Sequence, residues 1–332
     1  MNPDLTVDYL GLQLSSPLII GACPISEDLD KVIELEKAGA AAIVTYSLFE
    51  ERIRMNSKTT GYFSEIYNDS FSEAQTFFPG SYDVSVGPNE YLESIRELVQ
   101  AVHMPVIGSL NGVTQGGWVR YGKEMEEAGA SALELNFYYM ATDIDLTSAE
   151  VEDELIKVTE AVCQEVSIPV AVKLSPFYSS LPHVVSRLYA VGAAGVVLFN
   201  RFYQPDIDLE ELETVPRLKL SDRTELLMRL RWLAVLYSQF PISLAATGGV
   251  HEAEDVLKCV MTGATGVQIV SAILKYGPDR LSSIRTGLIE WMTDHDYENI
   301  RDMVGAMSLA RCPDPQAFER ANYLRTLQGW SI

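Results

Sequence analysis

The sequence predicts an α/β fold, a (β/α)8 TIM barrel with an N-terminal hairpin and long βα loops, and three observations carry that expectation. The first is a repeat: EKAGAAAIVTYS (36–47), EEAGASALELNF (126–137), YAVGAAGVVLFN (189–200) and MTGATGVQIVSA (261–272) each read as a helix terminus, a glycine, small residues and an apolar run. Glycine ends a helix by taking the left-handed conformation without strain, and an unbroken apolar run suits a parallel strand covered on both faces. The second is the count. Further apolar runs at 17–22, 105–110, 169–175 and 241–249 bring the strands to eight, alternating with helical patterns; a doubly wound sheet ranks second because it more often has five or six strands. The third is the stretch 242–275, a strand, a Gly-Gly turn, an amphipathic helix, a second turn and a second strand. Gly248-Gly249 can bring backbone N–H groups against an anion at a helix N-terminus, and loops after the last two strands of such a barrel commonly hold a phosphate. By itself Gly-Gly is equally the sequence of a tight turn.

In chain order, DYLGLQLSSP reads as a short hairpin closing the lower mouth, followed by the first strand, a helix over 28–38 and the second strand. Then come about forty residues, Leu48 to Asn89, far more than a βα loop requires, carrying Phe49, Tyr62, Phe63, Tyr67, Phe71, Phe77, Phe78 and Tyr82. Helical patterns follow at 90–102, 114–128, 149–166, 180–191, 222–239, 252–263 and 278–292. In 149–166, Val151, Leu155, Val158 and Val162 share a face, and Glu150, Glu152, Asp153 and Glu154 complement the dipole of the first turn. Loops after the fourth strand (137–148) and the sixth (201–221) are also long. All three leave strand C-termini, the barrel face on which chemistry is done. Residues 297–332 read as a C-terminal helical extension of one domain spanning 1–332.

Composition narrows the function. With 46 acidic against 25 basic residues, the formal charge of −21 repels nucleic acid and anionic membranes, so a small anionic ligand must be held by local dipoles and a few cations. No apolar run approaches membrane-helix length, and the acidic start MNPDLTVDYL is unlike a signal peptide, which predicts a cytoplasmic protein. Cys23, Cys163, Cys259 and Cys312 form no CxxC, and the four histidines show no ligand spacing, so no metal site is expected. Gly117 to Lys123 imitates a P-loop but lies within a helical pattern, with Glu124 where a magnesium-binding hydroxyl is needed.

Polar residues gather at the strand ends: Cys23, Thr45, Ser47, Ser109, Asn111, Asn136, Lys173, Ser175, Asn200, Thr247 and Ser271. Barrel geometry directs them to one mouth. Lys173, in AVKLS, reads as a single cation after an apolar strand, placed to meet an anion or a polarised carbonyl, although a strand-end lysine can also run to solvent. Asn136 and Asn200 offer donors and acceptors, which suits the edge of a flat heterocycle better than a metal.

The runs LSSPLIIGACP, AGAAAIVTYSLFEERIR, ALELNFYYMATD, PVAVKLSP, GVVLFN and LSDRTELL, with the Gly-Gly unit, resemble the dihydroorotate dehydrogenase family over essentially the whole chain. The resemblance implies FMN across the barrel mouth, its phosphate at Gly248, Gly249 and Ser271, and Lys173 facing the electron-rich edge of the isoalloxazine. It implies flavin or substrate contacts for Asn136 and Asn200, and contacts around the ring and phosphate for Ala22, Cys23, Thr45, Ser47 and Ser221. It also implies a homodimer, oxidation of dihydroorotate or a related small cyclic substrate in pyrimidine biosynthesis, and electrons leaving to a soluble acceptor or partner subunit.

This chain departs from the family pattern in its substrate half. Tyr46 stands where the family has a lysine, SYDVS before Val86-Gly87 replaces the asparagine-rich substrate segment, and NFYYMA replaces the run carrying the catalytic base. Tyr139 is then the first candidate for proton transfer, ahead of Tyr138 and Cys23. Two other readings stand beside this one: a Schiff-base aldolase or lyase acting on a phosphorylated substrate through Lys173, and a flavin-binding barrel without dihydroorotate turnover.

Overall fold

The computed structural model describes residues 2–49, 88–112, 114–201, 206–215, 219–312 and 328–329. Eight parallel strands close on themselves: β1 (Leu18–Ile20), β2 (Ala42–Val44), β3 (Val106–Asn111), β4 (Ala132–Asn136), β5 (Val170–Leu174), β6 (Gly195–Leu198), β7 (Ser243–Thr247) and β8 (Gly266–Ile269). Each pairs with its successor, and β8 returns to β1 through Val267 opposite Leu18. The fold is a (β/α)8 barrel. The helices between strands are α1 (Leu29–Ala38), α2 (Pro88–Ala101), α3 (Gln115–Glu127), α4 (Ser148–Glu165), α5 (Leu181–Ala190), α6 (Leu226–Leu236) and α7 (Ala253–Thr262), with α8 (Asp279–Asp294) after the last strand.

Local chemistry explains the boundaries. The four repeat glycines all take positive φ, at 110° for Gly39, 101° for Gly129, 100° for Gly192 and 119° for Gly263. Each turns the chain from a helix into a buried strand. Helix α4 starts with a capping box in which the Thr147 hydroxyl accepts from Glu150 N and Glu150 reaches back to Thr147 N. The helix expected over 222–239 divides into a turn at Arg223–Glu225 and α6, because the Asp222 carboxylate accepts from Thr224 N and holds the chain short of an α-helical start.

The hairpin pairs Val7–Tyr9 with Leu12–Leu14 and plugs the lower mouth: Tyr9 is 1% exposed, and a Cβ on Gly266 would lie 3.0 Å from its ring. Two features exceed the sequence reading. The loop after β6 carries a hairpin, Asp206–Asp208 with Glu213–Val215, and Ser271–Tyr276 forms a short helix directly after β8. After β2 the chain runs alongside β3 through Leu48–Phe49. The remaining loop aromatics and SYDVS lie outside the described residues, as does 313–327 of the C-terminal stretch, whose described part holds short turns at Ile300–Met303 and Leu309–Arg311.

Candidate active site

At the C-terminal mouth the strand ends bring the expected residues into two groups. The first spans β2 to β6. Ser47 Oγ lies 2.8 Å from Ser109 Oγ and accepts from Asn136 Nδ2 at 3.1 Å, linking three strand ends, while the buried Asn136 Oδ1 has no hydrogen-bond partner among the described residues. Asn200, 6% exposed, donates from Nδ2 to the carbonyls of Phe137 and Lys173, both at 3.3 Å. Its amide is thereby fixed between the ends of β4 and β5.

Lys173 requires a correction. It is no lone cation, for its Nζ donates to Glu134 Oε1 at 3.2 Å, and Glu134 Oε2 accepts from Gln268 Nε2. Glu134 and Gln268 are each 1% exposed. Neither was among the candidates, yet a carboxylate and an amide within the apolar runs ALELN and GVQIV were a visible signal, because a buried polar group in a strand needs a reason. Glu134 shares a strand face with Asn136, two residues on.

The second group lies around β7, β8 and α6. Ser221 N and Oγ both donate to Ser271 Oγ, at 3.0 and 2.8 Å, Gly249 N donates to Ser221 Oγ at 3.1 Å, and His251 Nε2 sits 2.7 Å from Ser221 O. Gly248 and Gly249 have φ of 91° and 83°. A Cβ on Gly248 would meet Arg229 Nη2 at 2.8 Å, and one on Gly249 would meet Leu226 N at 2.7 Å. Arg229, 3% exposed, was missed by the sequence reading; it donates to Thr247 O and lies 3.8 Å from the Glu225 carboxylate. A guanidinium thus stands directly behind the Gly-Gly turn.

Other candidates are placed differently. The Thr45 hydroxyl is 2.7 Å from Tyr91 Oη on α2 and accepts from Ser109 N, so its side chain is engaged by the helix layer and the neighbouring strand. Tyr46 packs edge-on against Tyr91 with centroids 4.9 Å apart and is 9% exposed. Cys23 is 6% exposed, and burial pushes its thiol up, a rise only partly offset by hydrogen bonding from Ile25 N and the Lys173 charge. Ala22 is half-buried at the end of β1. Tyr139 is 48% exposed, its ring 6.4 Å from that of Phe137. It lines a cavity of about 330 Å³ with Phe137, Val151 of α4, Ser175 and Phe177. Among the described residues no cluster of His, Cys, Asp or Glu could hold a metal, and no helix is long and apolar enough to cross a membrane.

Closed parallel barrel and convergent polar mouth together define a (β/α)8 barrel of the kind that works at its C-terminal face. The chain belongs to the dihydroorotate dehydrogenase family, whose model, described as Dihydroorotate dehydrogenase, matches residues 84–292. Among curated relatives it is 27% identical to the dihydroorotate dehydrogenase B (NAD(+)) catalytic subunit of Thermoplasma acidophilum, over 91% of this chain and 98% of that one. It is 23% identical to the protein of the same name from Endomicrobium trichonymphae, over 94% and 99%. It is 22% identical to the NAD-dependent dihydropyrimidine dehydrogenase subunit PreA of Escherichia coli K12, over 92% of this chain and 77% of the relative.

Proposed function

We propose that this chain is an FMN-dependent oxidoreductase acting on a CH–CH bond of dihydroorotate or a related small cyclic substrate. The observation that carries the proposal is one mouth with two chemically distinct ends: Lys173 with Asn136 and Asn200 on one side, and the Ser221–Ser271–Gly249 cradle on the other. The residues fit FMN on two counts. Gly248 and Gly249, with no Cβ, let Arg229 and the 222–226 backbone close up behind the turn, and Asn136 Oδ1, without a partner among the described residues, is an acceptor that a ring N–H would satisfy.

In this reading FMN supplies a hydride acceptor, and the chain does the rest. The Ser271 hydroxyl would hold the phosphate, joined by the Ser221 hydroxyl and the Gly249 N–H as they exchange their mutual hydrogen bonds for it, with Arg229 behind the turn countering the field of a chain charged −21. Lys173 would supply the ammonium that stabilises negative charge on the ring. Asn136 and Asn200 would orient the ring, and Tyr139 Oη would move the substrate proton.

Tyr46 argues for a substrate other than dihydroorotate. Its ring is packed against Tyr91, where the family pattern has a lysine, and a substrate carboxylate left unpaired there costs about 1–3 kcal/mol. The Schiff-base reading is disfavoured because Lys173 is engaged by a carboxylate, whereas that chemistry requires a free amine. As a catalytic subunit of this type, the chain passes its electrons to a soluble acceptor or a partner subunit, and we propose a cytoplasmic homodimer. The test is an absorption spectrum of the purified protein after incubation with FMN, followed by anaerobic reduction with dihydroorotate and, separately, by light. Bound FMN that both treatments reduce supports the full proposal. FMN reduced by light alone leaves a flavoprotein with a different substrate, and a protein that binds no FMN refutes the proposal.

A further inference from the structure

The pairing of Lys173 gives Glu134 a role that no residue reading of the flavin site assigns. The carboxylate is 1% exposed, and both of its oxygens are engaged, Oε1 by Lys173 Nζ at 3.2 Å and Oε2 by Gln268 Nε2. Strands β4, β5 and β8 therefore meet across the barrel through one buried ion pair and one amide. Two ionisable groups whose charges couple to the pair are Tyr9 below and Cys23 at the end of β1. Both are buried, and burial raises each of them, so they remain neutral near pH 7 and leave the charge of the pair balanced. Gln268 fixes the carboxylate without adding charge. Gly21 makes room for it, since a Cβ there would lie 3.2 Å from Gln268 Oε1.

We propose that Glu134 is a positioning residue which holds the Lys173 ammonium at a set depth below the barrel mouth and compensates its charge, lowering the reduction potential of a flavin bound above it. The inference rests on the FMN reading. A bare ammonium beside the ring edge favours the reduced, more negative flavin, and a carboxylate 3.2 Å from that ammonium withdraws part of the effect. The sign follows directly. Removing the negative charge while keeping the side-chain shape must raise the potential.

The experiment uses the full chain as wild type, Glu134→Gln, Glu134→Asp, Lys173→Met and the Glu134→Gln/Lys173→Met double variant. Denaturant midpoints of the FMN-free proteins come first. Each single change at the pair leaves a buried partner uncompensated, so the double variant is expected to be less destabilised than the sum of Glu134→Gln and Lys173→Met. Additive losses overturn the pairing. Spectroelectrochemical titration of the FMN-loaded proteins follows. Glu134→Gln is expected to shift the reduced-to-oxidised ratio about tenfold, an upward move of about 30 mV for a two-electron couple, while Glu134→Asp, which keeps the charge, stays closer to wild type. Should Glu134→Gln alone fail to fold, the same upward move is read between Lys173→Met and the double variant. Unchanged or lowered potentials with FMN still bound overturn the proposal and leave the cofactor reading intact. If no variant and no wild-type protein binds FMN, the cofactor reading and the tuning role fall together, and the stability comparison still decides whether Glu134 and Lys173 are coupled.

Discussion

Replacing Gly249 by alanine tests the cradle at its tightest point. The backbone there has φ of 83°, and the new methyl would sit 2.7 Å from Leu226 N, 3.0 Å from Asp222 O and 3.1 Å from Leu226 Cα. All three are main-chain atoms, so no side chain can swing aside. A non-glycine residue in this region costs roughly 1–2 kcal/mol, and crowding a packed site adds roughly 1–3 kcal/mol, for a total of about 2–5 kcal/mol. Relief requires moving the 222–226 segment, which carries Ser221 away from Ser271 and from Gly249 N. Each charge-assisted hydrogen bond lost to a phosphate is worth about 1.5–3 kcal/mol, so FMN affinity should fall at least about tenfold. Gly277→Ala is the control, because φ is 78° there and nothing among the described residues lies within 4 Å of the added methyl. It should show the conformational cost alone and bind FMN as wild type does. Denaturant midpoints and FMN fluorescence titrations measure both effects. Indistinguishable behaviour of the two variants would refute the argument that close approach, rather than left-handed geometry, shapes this turn.

Lys173→Met should still bind FMN yet be reduced by substrate at least about 10²-fold more slowly in stopped flow, since a preorganised charge at the ring edge is lost. Tyr139→Phe should slow substrate-driven reduction by about 10²-fold with photoreduction unchanged, and an unaltered rate would remove the phenol from proton transfer. Glu126 gives a pH prediction. The Lys123 ammonium at 2.8 Å, and then the Ser167 hydrogen bonds, hold its carboxyl down to about 2 from an ordinary 4.5. A folded-state value below the unfolded one contributes stability that is complete above about 4.5 and lost as the pH falls towards 2. Glu126→Gln should therefore flatten the dependence of melting temperature on pH within that window, and an unchanged slope would count against the assignment.

Most of the architecture was legible because its signals are local. A glycine that ends a helix, a Thr147 three residues before Glu150, or an apolar run bounded by turns declares itself within a dozen residues, whatever the rest of the chain does. Barrel geometry also directed Ser47, Ser109 and Asn136 to one mouth, and they do join there. Thr45 is engaged elsewhere. At the end of β2 its hydroxyl turns to Tyr91, a residue 46 positions along the chain on a helix whose seating no local pattern discloses.

Charge pairing lay further out of reach. Glu134 stands 39 positions from Lys173 and 134 from Gln268, so only closure of the barrel brings the three together. By itself the sequence determined the alternation of strands and helices, the turns between them and the family, since these depend on neighbours along the chain. The tertiary structure alone decided which polar groups face inward, which satisfy one another and which, like Asn136 Oδ1, have no partner among the described residues. Hydrogen bonds and ion pairs act over about 3 Å, and distance through space on that scale bears no relation to distance along the chain.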